Sequence, residues 1–333
     1  MCNKLSEVQE LIPLFLRSDT TFVRYVEYHQ ENGDLAIDLC AVPFDLPRCV
    51  YDALWREHKP AILTSGTLAV GEDFTHTEQQ FGLDRGTSLR TLCISSPFQY
   101  DKNCLLYFPE PYKKKASRKQ NTDRVAHQIQ ELINTANGHT LVLFTSYDQM
   151  GRVYEKMKDK FPVPVLRAQR NPQIYLERFK QLPNAVLFAS GACWEGVDFP
   201  GDMVSLLIIV KLPFQVPDPL GEAMRKQYSN LHSYIRAEVV PEMQIKLRQG
   251  FGRAIRTETD SCVVAILDPR AAPGKRYHQA VLDALPLMPV SDKLTDIQCF
   301  LQSKKKPSYF EPRFTKEVDF YAGNLLCAGS QEK

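Results

Sequence analysis

Two arginines three residues apart, Arg253 and Arg256, close the run Gln249-Gly250-Phe251-Gly252-Arg253-Ala254-Ile255-Arg256. A guanidinium group is always charged and presents a planar fork of donors that matches phosphate oxygens. Inserted beside a nucleotide, it offsets the charge that builds up as a phosphoryl group is transferred. At the start of a helix this spacing would aim both side chains at one anion, so the run is expected to be an arginine finger for ATP. A glycine turn leading into a solvated, basic helix end would use the same residues, and other segments must decide.

Val186 to Gly201 is an apolar strand opening into a loop with glycines, Trp194 and two carboxylates, Glu195 and Asp198. The carboxyl end of a strand is where open α/β sheets bind ligands. The glycines let backbone approach a nucleotide, and the carboxylates can accept hydrogen bonds from a ribose or from the arginines. A tight turn over a buried tryptophan is the simpler alternative. Ala61-Ile62-Leu63-Thr64-Ser65-Gly66-Thr67-Leu68 is a further apolar strand ending in small hydroxyl residues.

Apolar strands alternating with helical patterns imply a parallel sheet with helices on both faces. Strands are expected near 61–65, 91–94, 104–108, 141–145, 163–166, 186–190, 204–210 and 262–267. Between them, residues 123–135 have helical periodicity, with Asn137-Gly138 as a stop, and 147–160 form a second helix opened by Asp148. Prolines 213, 217 and 219 force an extended crossover, and 220–246 is a helical insertion.

In this order, the segments resemble the later motifs of superfamily 2 helicases, specifically the DinG and XPD family of iron–sulfur-type DNA helicases. Thr64-Ser65-Gly66-Thr67-Leu68 is similar to motif III and Leu141 to Tyr147 to motif IV. Trp194-Glu195-Gly196-Val197-Asp198 is similar to motif V, and Gln249 to Arg256 to motif VI. The likeness covers residues 20 to 290. Gly66 replaces a common alanine, and Ala192-Cys193 precede Trp194 where bulkier residues are usual.

The resemblance implies a RecA-like parallel sheet forming a complete second helicase domain over 86–300. It also implies an orphaned edge of the first motor domain over 1–85, ending in motif III, and a polar tail over 301–333. Carried onto this sequence, Arg256 is the finger on the γ-phosphate, Arg253 a second phosphate contact, and Gln249 the residue that positions nucleotide or water. Gly196, Asp198, Glu195, Gly252, Ser65 and Thr67 bind nucleotide or couple its state to the track. Thr145, Ser146, Ser190 and Trp194 hold single-stranded DNA, along which the family moves 5′ to 3′.

The chain contains no Gly-x-x-x-x-Gly-Lys-Ser/Thr and no Asp-Glu-Ala-His box. ATP with Mg2+ would therefore be used only in a complete motor, with an amino-terminal helicase half as partner in cis or in trans. A noncatalytic nucleic-acid-binding or interaction module derived from a helicase is the alternative. The family's iron–sulfur cysteines belong to the first motor domain, so neither a cluster nor another metal is expected here.

At 333 residues and 44% hydrophobic, the chain can bury a sizeable core. No apolar run approaches the roughly 18 residues of a membrane span. Nine cysteines, none in a Cys-x-x-Cys pair, read as reduced thiols of a cytoplasmic protein. The net charge of +2 says little about nucleic acid. Lys113 to Lys115, Arg118, Lys119 and Arg124 form a basic cluster beside Tyr107, Phe108 and Tyr112. Solvated surface is its ordinary reading, and phosphate contact with base stacking is the functional one.

Overall fold

In Phe22–Glu31 (β1) and Asp34–Pro43 (β2), Phe22, Val26 and Tyr28 and then Leu35, Ile37 and Leu39 fall on alternate positions, the period of a strand with one apolar face, although Arg24 and Gln30 interrupt the first run. The two pair antiparallel in unbroken register from Phe22↔Pro43 to Glu31↔Asp34, an element absent from the sequence expectations. The computed structural model describes residues 12–13, 15–16, 20–31, 34–57, 59–86, 88–112, 117–168, 172–194, 199 and 201–311. β1 and β2 belong to a first unit made of residues 1–94 and 214–245, and the rest of the chain forms a second unit.

Also in the first unit are the Leu46–Val50 and Thr75–Gln80 helices and the Pro219–Arg225 helix capped by Asp218. The two strands expected at 61–65 and 91–94 do not form. Neither segment joins a sheet, and their apolar side chains face solvent. Apolar sequence alone does not make a strand, because the backbone N–H and C=O groups still need a neighbouring strand to pair with.

The second unit holds a seven-stranded sheet built from Cys104–Tyr107 (β3), Thr140–Phe144 (β4), Val165–Arg167 (β5), Val186–Ser190 (β6), Leu206–Ile209 (β7), Cys262–Ile266 (β8) and Val290–Ser291 (β9). The order is β5-β6-β4-β7-β8-β3-β9, and every described pairing is parallel. β3, β4, β6, β7 and β8 are buried at every position. That is why they read as continuous apolar runs rather than alternating ones.

The Arg118–Thr135 helix covers this sheet with Val125, Ile129, Leu132 and Ile133. Its start is a reciprocal cap: Ser117 Oγ accepts from the Gln120 amide, and Gln120 Oε1 accepts from the Ser117 amide. The second expected helix runs Tyr147–Met157, and its cap is Ser146 rather than Asp148. Residues 301–310, assigned to a tail by their polarity, are packed. Leu301 is buried in the Leu294–Lys304 helix, Lys305 Nζ donates to Asp202 Oδ1 (2.5 Å) and to the Ser261 carbonyl, and the Tyr309 ring stacks on His139. Cys104, Cys193 and Cys262 are buried, and burial pushes the Cys104 thiol up to about 12, whereas Cys49, Cys93 and Cys299 are exposed.

Asn137 and Gly138 stop the Arg118–Thr135 helix with φ of 51° and 83°. A Cβ on Gly138 would lie 1.8 Å from the Asn184 carbonyl oxygen. Gly138→Ala is therefore expected to destabilise the second unit by about 2 kcal/mol or more, read as a lower urea midpoint at unchanged slope.

Candidate nucleotide and nucleic-acid site

Parallel strands bring their carboxyl ends to one edge of the sheet, so the loops after β4 and β6 are neighbours by construction. The Phe144 carbonyl, at the end of β4, accepts two buried hydrogen bonds from the β6 side. Ser190 Oγ donates at 3.0 Å and Trp194 Nε1 at 2.9 Å. Trp194 is 1% exposed, and its ring lies where a Cβ on Gly250 would stand, 2.7 Å from Cε3 and 2.8 Å from Cζ3. Three segments far apart in the chain are thus knitted around one carbonyl and one indole.

This placement changes the assignment of two residues. Ser190 and Trp194, expected on a DNA track, point their polar atoms inward and have almost no surface, so in this conformation neither can touch a nucleic-acid strand. Thr145 is exposed at the end of β4, and Ser146 is half-buried as the cap of the following helix. Glu195, Gly196 and Asp198 lie outside the described residues. In the first unit, Ser65 Oγ lies 3.2 Å from both the Thr67 amide and the Thr67 hydroxyl, a compact hydroxyl turn.

The arginines do not open a helix. Val240–Phe251 is helical, and Gly252 to Arg256 form the turn that leaves its carboxyl end. Cations there are favoured by the helix dipole and the last free carbonyls. Arg253 Nε donates to the Gln249 carbonyl at 3.3 Å, and the Gly252 amide donates to Arg248. Asp260 braces the turn by accepting from the Arg256 amide (2.8 Å), the Thr257 amide (2.8 Å) and the Thr257 hydroxyl (2.7 Å). Arg253, Arg256, Gln249 and Gly252 are all half-buried.

Sequence reasoning missed a cavity of about 440 Å3 at the carboxyl ends of β3, β7 and β8, lined by Tyr112, Arg124, Lys211, Asp268 and Arg270 among others. The Arg124 guanidinium sits 4.4 Å over the Tyr112 ring, joining two residues of the basic segment. Arg270 donates through Nε, Nη2 and its amide to Asp268, whose carboxylate also takes the Leu212 amide. Burial alone would raise the Asp268 carboxyl, but these bonds and the guanidinium charge outweigh it and hold the group below its ordinary value. The close spacing in Leu267-Asp268-Pro269-Arg270 was the available signal. Among the described residues, no group of three or more His, Cys, Asp or Glu is placed to hold a metal, and no helix is long and apolar enough to cross a membrane.

Residues 129–288 match the family model described as Helicase C-terminal domain. A Bacillus subtilis protein called 3′-5′ exonuclease DinG is 30% identical over 90% of the chain, which covers 33% of that relative. The ATP-dependent DNA helicase YoaA of Haemophilus influenzae is 32% identical over 86% of the chain, which covers 44% of it. The chain thus spans a third to less than half of these curated relatives. A solved XPD helicase shares the fold with a TM-score of 0.57 at 19% identity, across 84% of this chain and 49% of that one.

Gly250→Ala is expected to push the Trp194 ring off its seat and cost about 1–3 kcal/mol in chemical denaturation, with Trp194 fluorescence reporting the shift. Because Arg270 is half in solvent, Asp268→Ala is expected to cost about 2 kcal/mol, mainly from the amides left unpaired. The Asp268 contribution is present above the ordinary carboxyl value of 3.8 and is lost as pH falls through the lower folded value. Asp268→Asn should therefore flatten the acid limb of the stability profile. With the segments similar to motifs IV and V at neighbouring strands of one parallel sheet, and with these similarities along its length, the chain matches the carboxyl-terminal helicase half of the DinG/XPD family.

Proposed function

We propose that this chain is the carboxyl-terminal motor half of an ATP-dependent 5′–3′ DNA helicase, supplying the arginine finger and part of the single-strand track. The observation that carries the proposal is the turn bearing Arg253 and Arg256. It follows within six residues of the glycine on which Trp194 rests, and Asp260 holds its backbone. A cationic turn anchored in this way is set before a phosphate arrives, which is what electrostatic stabilisation of phosphoryl transfer requires.

Arg256 is the finger on the γ-phosphate, Arg253 a second phosphate contact, and Gln249 orients the nucleotide or the attacking water. Gly252 lets the turn approach closely. Glu195, Gly196 and Asp198 link nucleotide state to the track, and Ser65 and Thr67 bind nucleotide or couple its state. The guanidinium donors fit the anionic phosphates of ATP, but nothing in the sequence forms a phosphate-cradling Gly-Lys loop. When bound, ATP with Mg2+ supplies the phosphoryl group and part of the charge compensation. The rest comes from the first motor domain, of which residues 1–85 are the closing piece. Residues 86–300 are the second.

Thr145 and Ser146 carry the strand backbone, as does the cavity between Tyr112, Arg124 and Lys211, where cations meet phosphates and the Tyr112 ring offers a base a stacking face. Ser190 and Trp194 act indirectly by fixing the β4 and β6 loops.

The test is reconstitution with the amino-terminal helicase half. DNA-stimulated ATP hydrolysis should appear on mixing, and Arg256→Ala should lower it about 1000-fold or more while leaving single-strand binding intact. Near-normal turnover by that variant would remove the finger assignment. Strand binding without any hydrolysis on mixing would favour the noncatalytic module.

A further inference from the structure

Where β4 and β6 begin, at the opposite end of these strands from the Phe144 carbonyl, lies a cavity of about 380 Å3. Its apolar lining includes Phe179, Leu182, Pro183 and Met203. The volume is near the lower end of the roughly 300–1,000 Å3 of small-molecule sites and has room for one ring system. The charged groups that line it already have partners. Lys180 Nζ donates to Glu177 Oε1 at 3.3 Å, and Asp202 Oδ1 accepts from Lys305 Nζ at 2.5 Å. His139 Nδ1 donates to the Asp202 carbonyl at 2.9 Å, and its ring stacks on Tyr309 with centroids 4.1 Å apart. Asn184, also in the lining, is the exception. It is 4% exposed, and its Oδ1 is shut off from solvent without a hydrogen-bond partner. Buried polar atoms are nearly always paired, so an orphan acceptor in a cavity wall calls for a donor from outside the chain. Asn184 and His139 also hold positive φ, of 39° and 45°. That region is costly for residues with a side chain, and such strain gathers at ligand sites.

We propose that this cavity binds a small neutral heterocycle with an amide edge, an N–H beside an acceptor, and that Asn184 is the residue that recognises it. With no partner on Oδ1 to hold it, the Asn184 amide turns about its last bond to meet the ligand. Oδ1 then accepts from the ligand N–H and Nδ2 donates to the adjoining acceptor, the paired contact by which an asparagine reads the edge of a base. The class of ligand follows from the lining. Apolar side chains favour a ring over a hydrated ion, and the charges of Lys180 and Asp202, matched by Glu177 and Lys305, leave an ionic ligand without a counterion. An unpaired acceptor asks for an N–H and rejects a second carbonyl or carboxylate. The site shares no residue with the phosphate and strand contacts proposed above, which sets it apart from both.

Saturation-transfer NMR on the full chain tests this with uracil and nicotinamide as probes, and with 1,3-dimethyluracil and nicotinate as their N-blocked and charged counterparts. Both probes should bind with dissociation constants of about 1 mM or tighter, and both counterparts about tenfold or more weakly than that. Asn184→Gly accepts the positive φ without strain but removes the amide. It should weaken both probes about tenfold or more while the thermal midpoint stays within about 4 °C. Met203→Trp fills the cavity and should abolish binding of both; if that variant does not fold, Asn184→Gly and the blocked counterparts decide. The proposal is overturned if neither probe binds, if the counterparts bind as well as the probes, or if binding survives Asn184→Gly or a folded Met203→Trp. A larger fall in the midpoint of Asn184→Gly also overturns it, since the amide would then be engaged in the fold. Binding is read without nucleotide or DNA, so it stands or falls separately from the Arg256 assignment.

Discussion

One carbonyl organises the candidate site. Phe144 ends β4 and, instead of leaving its oxygen to solvent, accepts a hydroxyl and an indole N–H from the segment that leaves β6. Both donors are buried, so losing either bond would leave a polar group without a partner in a dry environment, at a cost of roughly 1–3 kcal/mol. The indole plane then forms the floor on which Gly250 rests, which fixes where the helix carrying the next motif ends. Strand ends, tryptophan and the end of the helix that precedes the arginine turn are therefore packed into one cluster.

The two units contrast sharply in how they meet the hydrophobic requirement. The second unit encloses a sheet whose central strands are buried along their whole length and whose covering helices are amphipathic and capped. Lys305 and Tyr309 close the amino-terminal edge of the sheet through Asp202, His139 and the Ala136 carbonyl. The first unit buries few apolar side chains among its described residues, Ala69, Leu83 and Met243.

Much of the second unit was legible beforehand. Runs such as Val142–Phe144 and Leu206–Ile209 are apolar at every position, and only strands buried on both faces tolerate that. The helix from Arg118 showed its period, and Asn137-Gly138 marked its end, because positive φ favours those two residues. The same apolar signal failed at 61–65 and 91–94, since pairing needs a neighbour that a one-dimensional pattern cannot supply. The β1–β2 hairpin and the packing of 301–310 were missed because their alternation is short and mixed with charge.

Sequence by itself determined which residues could do chemistry: two guanidinium groups three apart, hydroxyls at strand ends, a tryptophan among glycines, and no phosphate-cradling loop. Side-chain type and spacing settle these, because charge, donor geometry and backbone freedom are properties of residues. Only the tertiary structure decided which of them face solvent. It turned Ser190 and Trp194 inward onto the Phe144 carbonyl, moved the arginines from the start of a helix to its end, and gathered Tyr112, Arg124, Lys211 and Arg270 around one cavity. Burial depends on contacts between residues distant in the chain, and no local pattern encodes it.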